Sequence, residues 1–154
     1  MVSHGAGIHR LVSECKPLDL NSVYAYLLLC EHFAQTCVLA ERAGRVVGFV
    51  SAYRPPARSQ AVFVWQVAVA KQVRGSGLAR AMLRDLLARD AVRDCHYLET
   101  TVTPSNAPSR RLFQSLAREL DAPLVESVLF HEKDFGGEGH ETEALLRIGP
   151  FTGL

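Results

Sequence analysis

Between Val67 and Leu87 the sequence reads VAVAKQVRGSGLARAMLRDLL. An apolar strand runs straight into two glycines set between arginines, then into a helix whose apolar stripe is Ala79, Met82, Leu83, Leu86 and Leu87. A strand–glycine–helix joint belongs to a layered α/β architecture, because the helix must return over the sheet that the strand has left. It is also a place to hold a phosphate. Backbone N–H groups at a helix start converge on an anion without desolvating side-chain charges, and the helix dipole adds to the attraction. Side chains obstruct that approach, so glycine occupies the crowded points. Arg74, Gly75, Ser76, Gly77, Leu78 and Ala79 form the expected pyrophosphate cradle.

Three other origins of such a joint compete. A nucleotide P-loop places Lys-Ser/Thr after its last glycine, whereas Leu78 and Ala79 follow Gly77. A dinucleotide fingerprint needs a third glycine where Arg80 stands, and Glu99 lies inside the downstream strand rather than at its end. A turn with glycine for geometry alone is the bland reading of any lone Gly-x-Gly.

The remaining chain supplies the layers. AGIHRLVSEC has apolar residues at Ile8, Leu11 and Val12, a helical spacing, and VYAYLLLCEHFA is a second helix capped by Asn21 or Ser22. CVLAERAGRVVGFVSAYRPP reads as two strands around an Ala-Gly-Arg turn. AVFVWQVAV, apolar on both faces, is expected at the centre of the sheet; strict alternation puts Phe63, Trp65, Val67 and Val69 on one side. The strand YLETTV, the turn TPSN and the helix APSRRLFQSLARELD follow, then strands PLVESVLF and EALLRIG around the loop KDFGGEGHE. This is a mixed α/β order, and 154 residues fit one domain over 1–154.

A formal net charge of +1 gives no general attraction for nucleic acid or an anionic membrane. No apolar run is long enough for a bilayer-spanning helix, and the N-terminus lacks a signal peptide's apolar core. The four cysteines, Cys15, Cys30, Cys37 and Cys95, form no C-x-x-C pair and read as free thiols of a reducing compartment, hence a cytoplasmic expectation. The histidines show no H-x-x-x-H pair, so no metal site is expected.

The cradle also matches the acetyl-coenzyme-A loop [RQ]-x-x-G-x-[GA] at Arg74, Gly77 and Ala79, and so resembles that of the Gcn5-related N-acetyltransferases. The resemblance implies that family's fold, a central mixed sheet flanked by helices. It implies acetyl-CoA as co-substrate, lying along Val67 and Val69 of a splayed strand, and contact from Asn106 at the start of the later helix. Asn106 is equally well placed as a plain N-cap. A backbone N–H near Val67 is the implied hydrogen-bond donor to the thioester oxygen as negative charge develops on it. Many relatives have a tyrosine one turn into that helix to protonate the leaving thiolate; Phe113 stands here. Only about seven residues precede Ile8, with no β-pattern, so the family's first edge strand is expected to be missing. A homodimer is one way to cover the edge so exposed.

Longer strings, PLDLNSVYAYLLLCEHFAQTCVLAE, VGFVSAYRPP, FVWQVAV, CHYLETTVTPSN and HETEALLRIGPF, resemble the L-2,4-diaminobutyrate acetyltransferases of ectoine biosynthesis over roughly Gly5 to Phe151. That resemblance implies acetyl transfer to the 4-amino group of a small diamino acid. It places Asp19, Tyr24, Trp65, His140 and Glu143 at the substrate, with Glu143 first and Asp19 second as the carboxylate that holds the reacting amine's proton or the α-ammonium. Carboxylates suit a doubly aminated substrate, and an indole can face an ammonium. Each residue has a plainer reading: Asp19 as a helix cap, Tyr24 and Trp65 as core aromatics, GGEGHETE as a solvated acidic loop. An acetyltransferase for another amine, and a non-catalytic acyl-CoA-binding module, remain the competing functions.

Overall fold

Two helices lead the computed structural model, which describes residues 1–152: α1 at Gly5–Ser13 and α2 at Val23–His32. Ser22 caps α2, its hydroxyl accepting from the Ala25 amide. Neither Asn21 nor Asp19 does so, which leaves the Asp19 carboxylate free for other work. Strands β1 (Val38–Arg42) and β2 (Arg45–Tyr53) form the expected hairpin. Its turn is Ala43–Gly44, both at positive φ as a two-residue turn between twisted strands requires.

The chain continues through β3 (Ala61–Val69), α3 (Leu78–Leu87), β4 (Tyr97–Val102), α4 (Ala107–Glu119), β5 (Leu124–Phe130) and β6 (Glu143–Ile148). The sheet order is β1-β2-β3-β4-β6-β5, with β3 third of six. Only β3 and β4 run parallel, and α3 is their crossover. The stripe Met82, Leu83, Leu86 and Leu87 packs α3 against the sheet, joined by Phe113 and Leu116 of α4. Gly48 lets α3 come close: a Cβ there would lie 2.8 Å from the Met82 sulfur. On the other face α1 and α2 bury Ile8, Leu11, Val12, Tyr26 and Leu29 against Phe49 and Ala68.

Strict alternation along β3 does not hold. Ser51 of β2 pairs with Gln66 and Ala52 pairs with Val64, so Trp65 is an extra residue without a partner. This bulge reverses the facing of everything after it. Val67 and Val69 therefore pack with Val62 and Val64 in the α3/α4 core, while Gln66 and Ala68 face α1 and α2. Trp65 is left 43% exposed, which removes the core reading of its indole.

Both sheet edges are unpaired among the described residues. One is β1; the other is β5, which exposes Val125, Val128 and Phe130. Helix α1 begins at Gly5, directly after a short turn, and no strand precedes it among the described residues. Glu99, the residue that suggested a ribose-binding acid, is fully buried and receives Arg58 Nε at 2.9 Å and an Arg147 guanidinium nitrogen at 2.6 Å. Two arginines occupy it inside the sheet, far from a ribose-binding role. All four cysteines are buried and unpaired, and burial pushes the Cys37 thiol up to about 11. Among the described residues no helix is long and apolar enough to cross a membrane.

Candidate active site

The glycine joint has the geometry that an anion cradle needs. Gly75 and Gly77 lie at φ +77° and +81°, and a Cβ at either would meet nothing within 4 Å. Glycine is there for backbone conformation facing open space, not to relieve crowding by the protein itself. Gly77 stands at the N-cap of α3. Among the described residues, none of the amides from Gly75 to Ala79 donates to a protein acceptor. The Ser76 hydroxyl turns back to the Val73 carbonyl at 2.6 Å, so this residue offers its amide rather than its side chain. The Arg74 guanidinium donates to the Val69 carbonyl at 3.1 Å and ties the loop to the strand end.

These residues open onto a cleft of about 440 Å³ that runs between β3 and α4, with Val67, Val69, Arg80, Arg111 and Ser115 on its walls. The cleft exists because β3 and β4 part company. Their pairing stops at Val64 and Thr100, while β4 goes on alone with β6. The Thr100 hydroxyl donates to the Val64 carbonyl at 2.9 Å and closes the apex of the notch.

A second cleft of about 310 Å³ is lined by Trp65 and Gln66, the residues of β3 just before Val67, and by Asp19, Thr101, Asn106, His140, Glu141 and Glu143 among others. His140 is its hub. The Glu141 carbonyl, which can only accept, sits 2.7 Å from Nδ1, so the neutral ring presents the Nε2 lone pair. Nε2 lies 3.8 Å from Asp19 Oδ2 and 3.7 Å from Glu143 Oε1. The ring is stacked on Phe135 at 3.9 Å between centroids. Glu143, at the start of β6, is only 19% exposed, whereas the Asp19 side chain is 84% exposed. Burial raises the Glu143 pKa, Thr101 and His140 oppose that rise, and the Asp19 and Glu141 charges reinforce it. Ser105, in the turn before α4, donates to the Glu141 carboxylate and joins the two sides of the cleft.

Of the residues named from sequence, Asp19, Trp65, His140 and Glu143 are brought together here. Tyr24 is not. It is 68% exposed and outside the lining, because α2 turns Tyr26, Leu29 and Cys30 inward instead. Asn106 is a cap, its Oδ1 accepting from the Ser109 amide, and it lines the acidic cleft rather than the arginine-lined one where the cofactor contact was expected. Phe113 is buried in the α3/α4 core. Gln66, Thr101, Glu141, Arg80 and Arg111 were not singled out from sequence, and only the last two carried a signal there, as arginines flanking the cradle and the later helix.

Charge separates the two clefts. The one at the glycine joint is lined by Arg74, Arg80 and Arg111 with no acid, the other by Asp19, Glu141 and Glu143 with no lysine or arginine. One suits a polyanion, the other an ammonium. Among the described residues no group of His, Cys, Asp and Glu converges as metal ligands would.

Residues 6–117 match the model of the acetyltransferase (GNAT) family. The L-2,4-diaminobutyric acid acetyltransferase of Bordetella parapertussis is 58% identical over 149 residues, covering 96% of this chain and 80% of that protein. The enzyme of the same name from Methylotuvimicrobium alcaliphilum is 48% identical over 147 residues, covering 96% and 86%. Among solved structures, the diaminobutyrate acetyltransferase EctA of Paenibacillus lautus, in complex with L-2,4-diaminobutyric acid and coenzyme A, superposes with a TM-score of 0.94 at 44% identity, covering 97% of this chain and 91% of that one. The chain belongs to the acetyltransferase (GNAT) family, among its diaminobutyrate acetyltransferases.

Proposed function

We propose that this protein transfers the acetyl group of acetyl-CoA to the 4-amino group of L-2,4-diaminobutyrate, the acetylation that leads to ectoine. The observation that carries the reading is the pair of clefts served by consecutive residues of β3: Trp65 and Gln66 line one holding three carboxylates, and Val67 and Val69 line an arginine-lined one with unengaged amides. The similarity to enzymes of that name supports the choice of amine.

The roles follow from the chemistry. The amides of residues 75–79 with Arg74 hold the pyrophosphate, and Val67 and Val69 lie along the pantetheine arm. A substrate ammonium enters beside Trp65. The ionised Glu143 takes one proton from the 4-ammonium, and its raised pKa makes it a stronger base than an exposed carboxylate. The neutral nitrogen attacks the thioester carbon, and the Val67 amide receives the charge that develops on oxygen. As the C–S bond breaks, the thiolate collects the second proton released by the nitrogen, directly or through water, because the buried Phe113 has none to give. Asp19 and the Nε2 lone pair of His140 hold the other ammonium of the same substrate.

Free-thiol release from acetyl-CoA with a panel of amines tests the reading. Release with diaminobutyrate but not with ornithine or lysine is expected. Release with the other amines instead points to a different acetyltransferase, and CoA binding without turnover points to a binding module.

A homodimer in the cytoplasm is the setting we infer. Free buried thiols and the need for acetyl-CoA support the compartment. The exposed β5 edge supports the dimer: Phe130 packs at 6.2 Å on Phe135, which in turn stacks on His140, so covering that edge would also steady the site. Sedimentation at micromolar concentration should give twice the chain mass, and a plain monomer removes the dimer.

A further inference from the structure

Gln66 is 4% exposed and faces the α1/α2 core, where an aliphatic side chain would serve packing better. Each of its polar contacts is specific. The Trp65 bulge leaves the Gln66 amide at a shifted register, and the Ser51 hydroxyl accepts from it at 3.1 Å. The Tyr26 hydroxyl, fully buried on α2, donates to Gln66 Oε1 at 3.2 Å. Gln66 Nε2 donates to the backbone carbonyl of Asp19 at 2.7 Å. The Asp19 carbonyl can only accept, so the orientation of the amide group is fixed. The Tyr26 hydroxyl also accepts from the Asn21 amide at 3.4 Å, gripping the same segment two residues further on.

We infer that Gln66 is a positioning residue for the amine site: pinned by Tyr26 and Ser51, it fastens the Asp19 segment to β3 and so sets where the Asp19 carboxylate stands relative to Trp65 and Val67. This rests on Asp19 holding a substrate ammonium, as proposed above. The Asp19 side chain is otherwise almost unsupported, with His140 Nε2 standing 3.8 Å from its Oδ2. The backbone bond from Gln66 is thus what links the acid to the strand beside which the acetyl group is delivered. Satisfied buried networks of this kind rigidify what they hold. Val67 keeps its place through its pairing with Val50, so the Gln66 side chain governs only where the acid stands relative to it.

The test uses Gln66→Met, which keeps the volume and removes the donor, alongside Asp19→Ala and the double variant. Gln66→Met should raise KM for diaminobutyrate roughly tenfold, about what one buried hydrogen bond is worth. The values of kcat and KM for acetyl-CoA should stay within about twofold, and the preference for diaminobutyrate over ornithine should narrow. The double variant should be no worse than Asp19→Ala alone. Tyr26→Phe, which removes one hydroxyl, should raise the same KM by a smaller factor of about three and provides the reading if Gln66→Met fails to fold. Equal loss toward both substrates, additive losses in the double variant, or an unchanged KM for diaminobutyrate in both single variants overturns the inference. An Asp19→Ala enzyme with unchanged KM for diaminobutyrate would instead remove the assigned role of Asp19, and with it the reason for positioning it.

Discussion

Gly77→Glu should lower CoA affinity by about a hundredfold or more while the protein stays folded. Two terms combine. At φ +81° a residue with a Cβ is strained, by about 1–2 kcal/mol for a left-handed backbone. A carboxylate about 4 Å from a phosphate near a protein surface then adds about 4 kcal/mol of repulsion before solvent and salt reduce it. Since a Cβ at this position meets nothing within 4 Å, the substitution does not intrude on the core; the loop sheds part of the strain by relaxing in the free protein, so the melting temperature should fall by only a few degrees and the rest is felt on binding. Gly77→Ala carries the strain without the charge and should cost about tenfold, so the interval between the two variants reads the electrostatic part. That interval should shrink as salt is added. Titration calorimetry with CoA measures all three proteins, and equal affinity across them would show that these amides do not hold the diphosphate.

The joint was legible in the sequence because its signal is local: a strand, two glycines and a helix within one short stretch. Most of the fold was legible for the same reason, through periodicity, turn residues and a hydroxyl before α2. The facing of β3 was not. Alternation predicts the face of each residue only while the register holds, and the extra residue at Trp65 is defined by what β2 does opposite it. The same bulge is what brings an indole to the surface one residue past the last β3–β4 pair, so the point at which a simple pattern fails also supplies a wall of the acidic cleft.

The candidate site was legible unevenly. Asp19, His140 and Glu143 are distant in sequence and gather only because the segment before α2 and the start of β6 approach the open end of the sheet. Nothing in local spacing places them together; the resemblance in LDLNS and HETE did. The helical phase of α2 sends Tyr24 outward and Tyr26 inward, which removes the core reading of Tyr24. Gln66 carried no signal at all, since a single amide in an apolar strand looks the same whether it supports a site or faces solvent.

Glu143→Gln should reduce kcat near neutral pH by about a hundredfold or more, the usual scale for loss of a positioned general base. Glutamine keeps the shape and removes only the ability to accept the ammonium proton, so CoA affinity should be unchanged. Equal loss for both ligands would point to misfolding. The pH dependence separates this role from simple charge attraction. The base is the ionised form, and burial raises its pKa, so the acid limb of kcat/KM in the native enzyme should lie above the ordinary carboxylate range. The limb should vanish in Glu143→Gln. As pH rises toward the amine's own pKa the substrate needs less help, and the gap between the two enzymes should close. Stability gives an independent check of sign. A carboxyl whose pKa is higher folded than unfolded destabilises the fold when ionised. That cost is absent below the unfolded value, develops as pH rises toward the raised folded value, and is fully present above it. Glu143→Gln should therefore melt no lower than the native protein at neutral pH, and any advantage it has should fade on acidification. A slower enzyme that is no less stable is what a base held at the expense of the fold predicts, whereas an ordinary structural glutamate would lose both together.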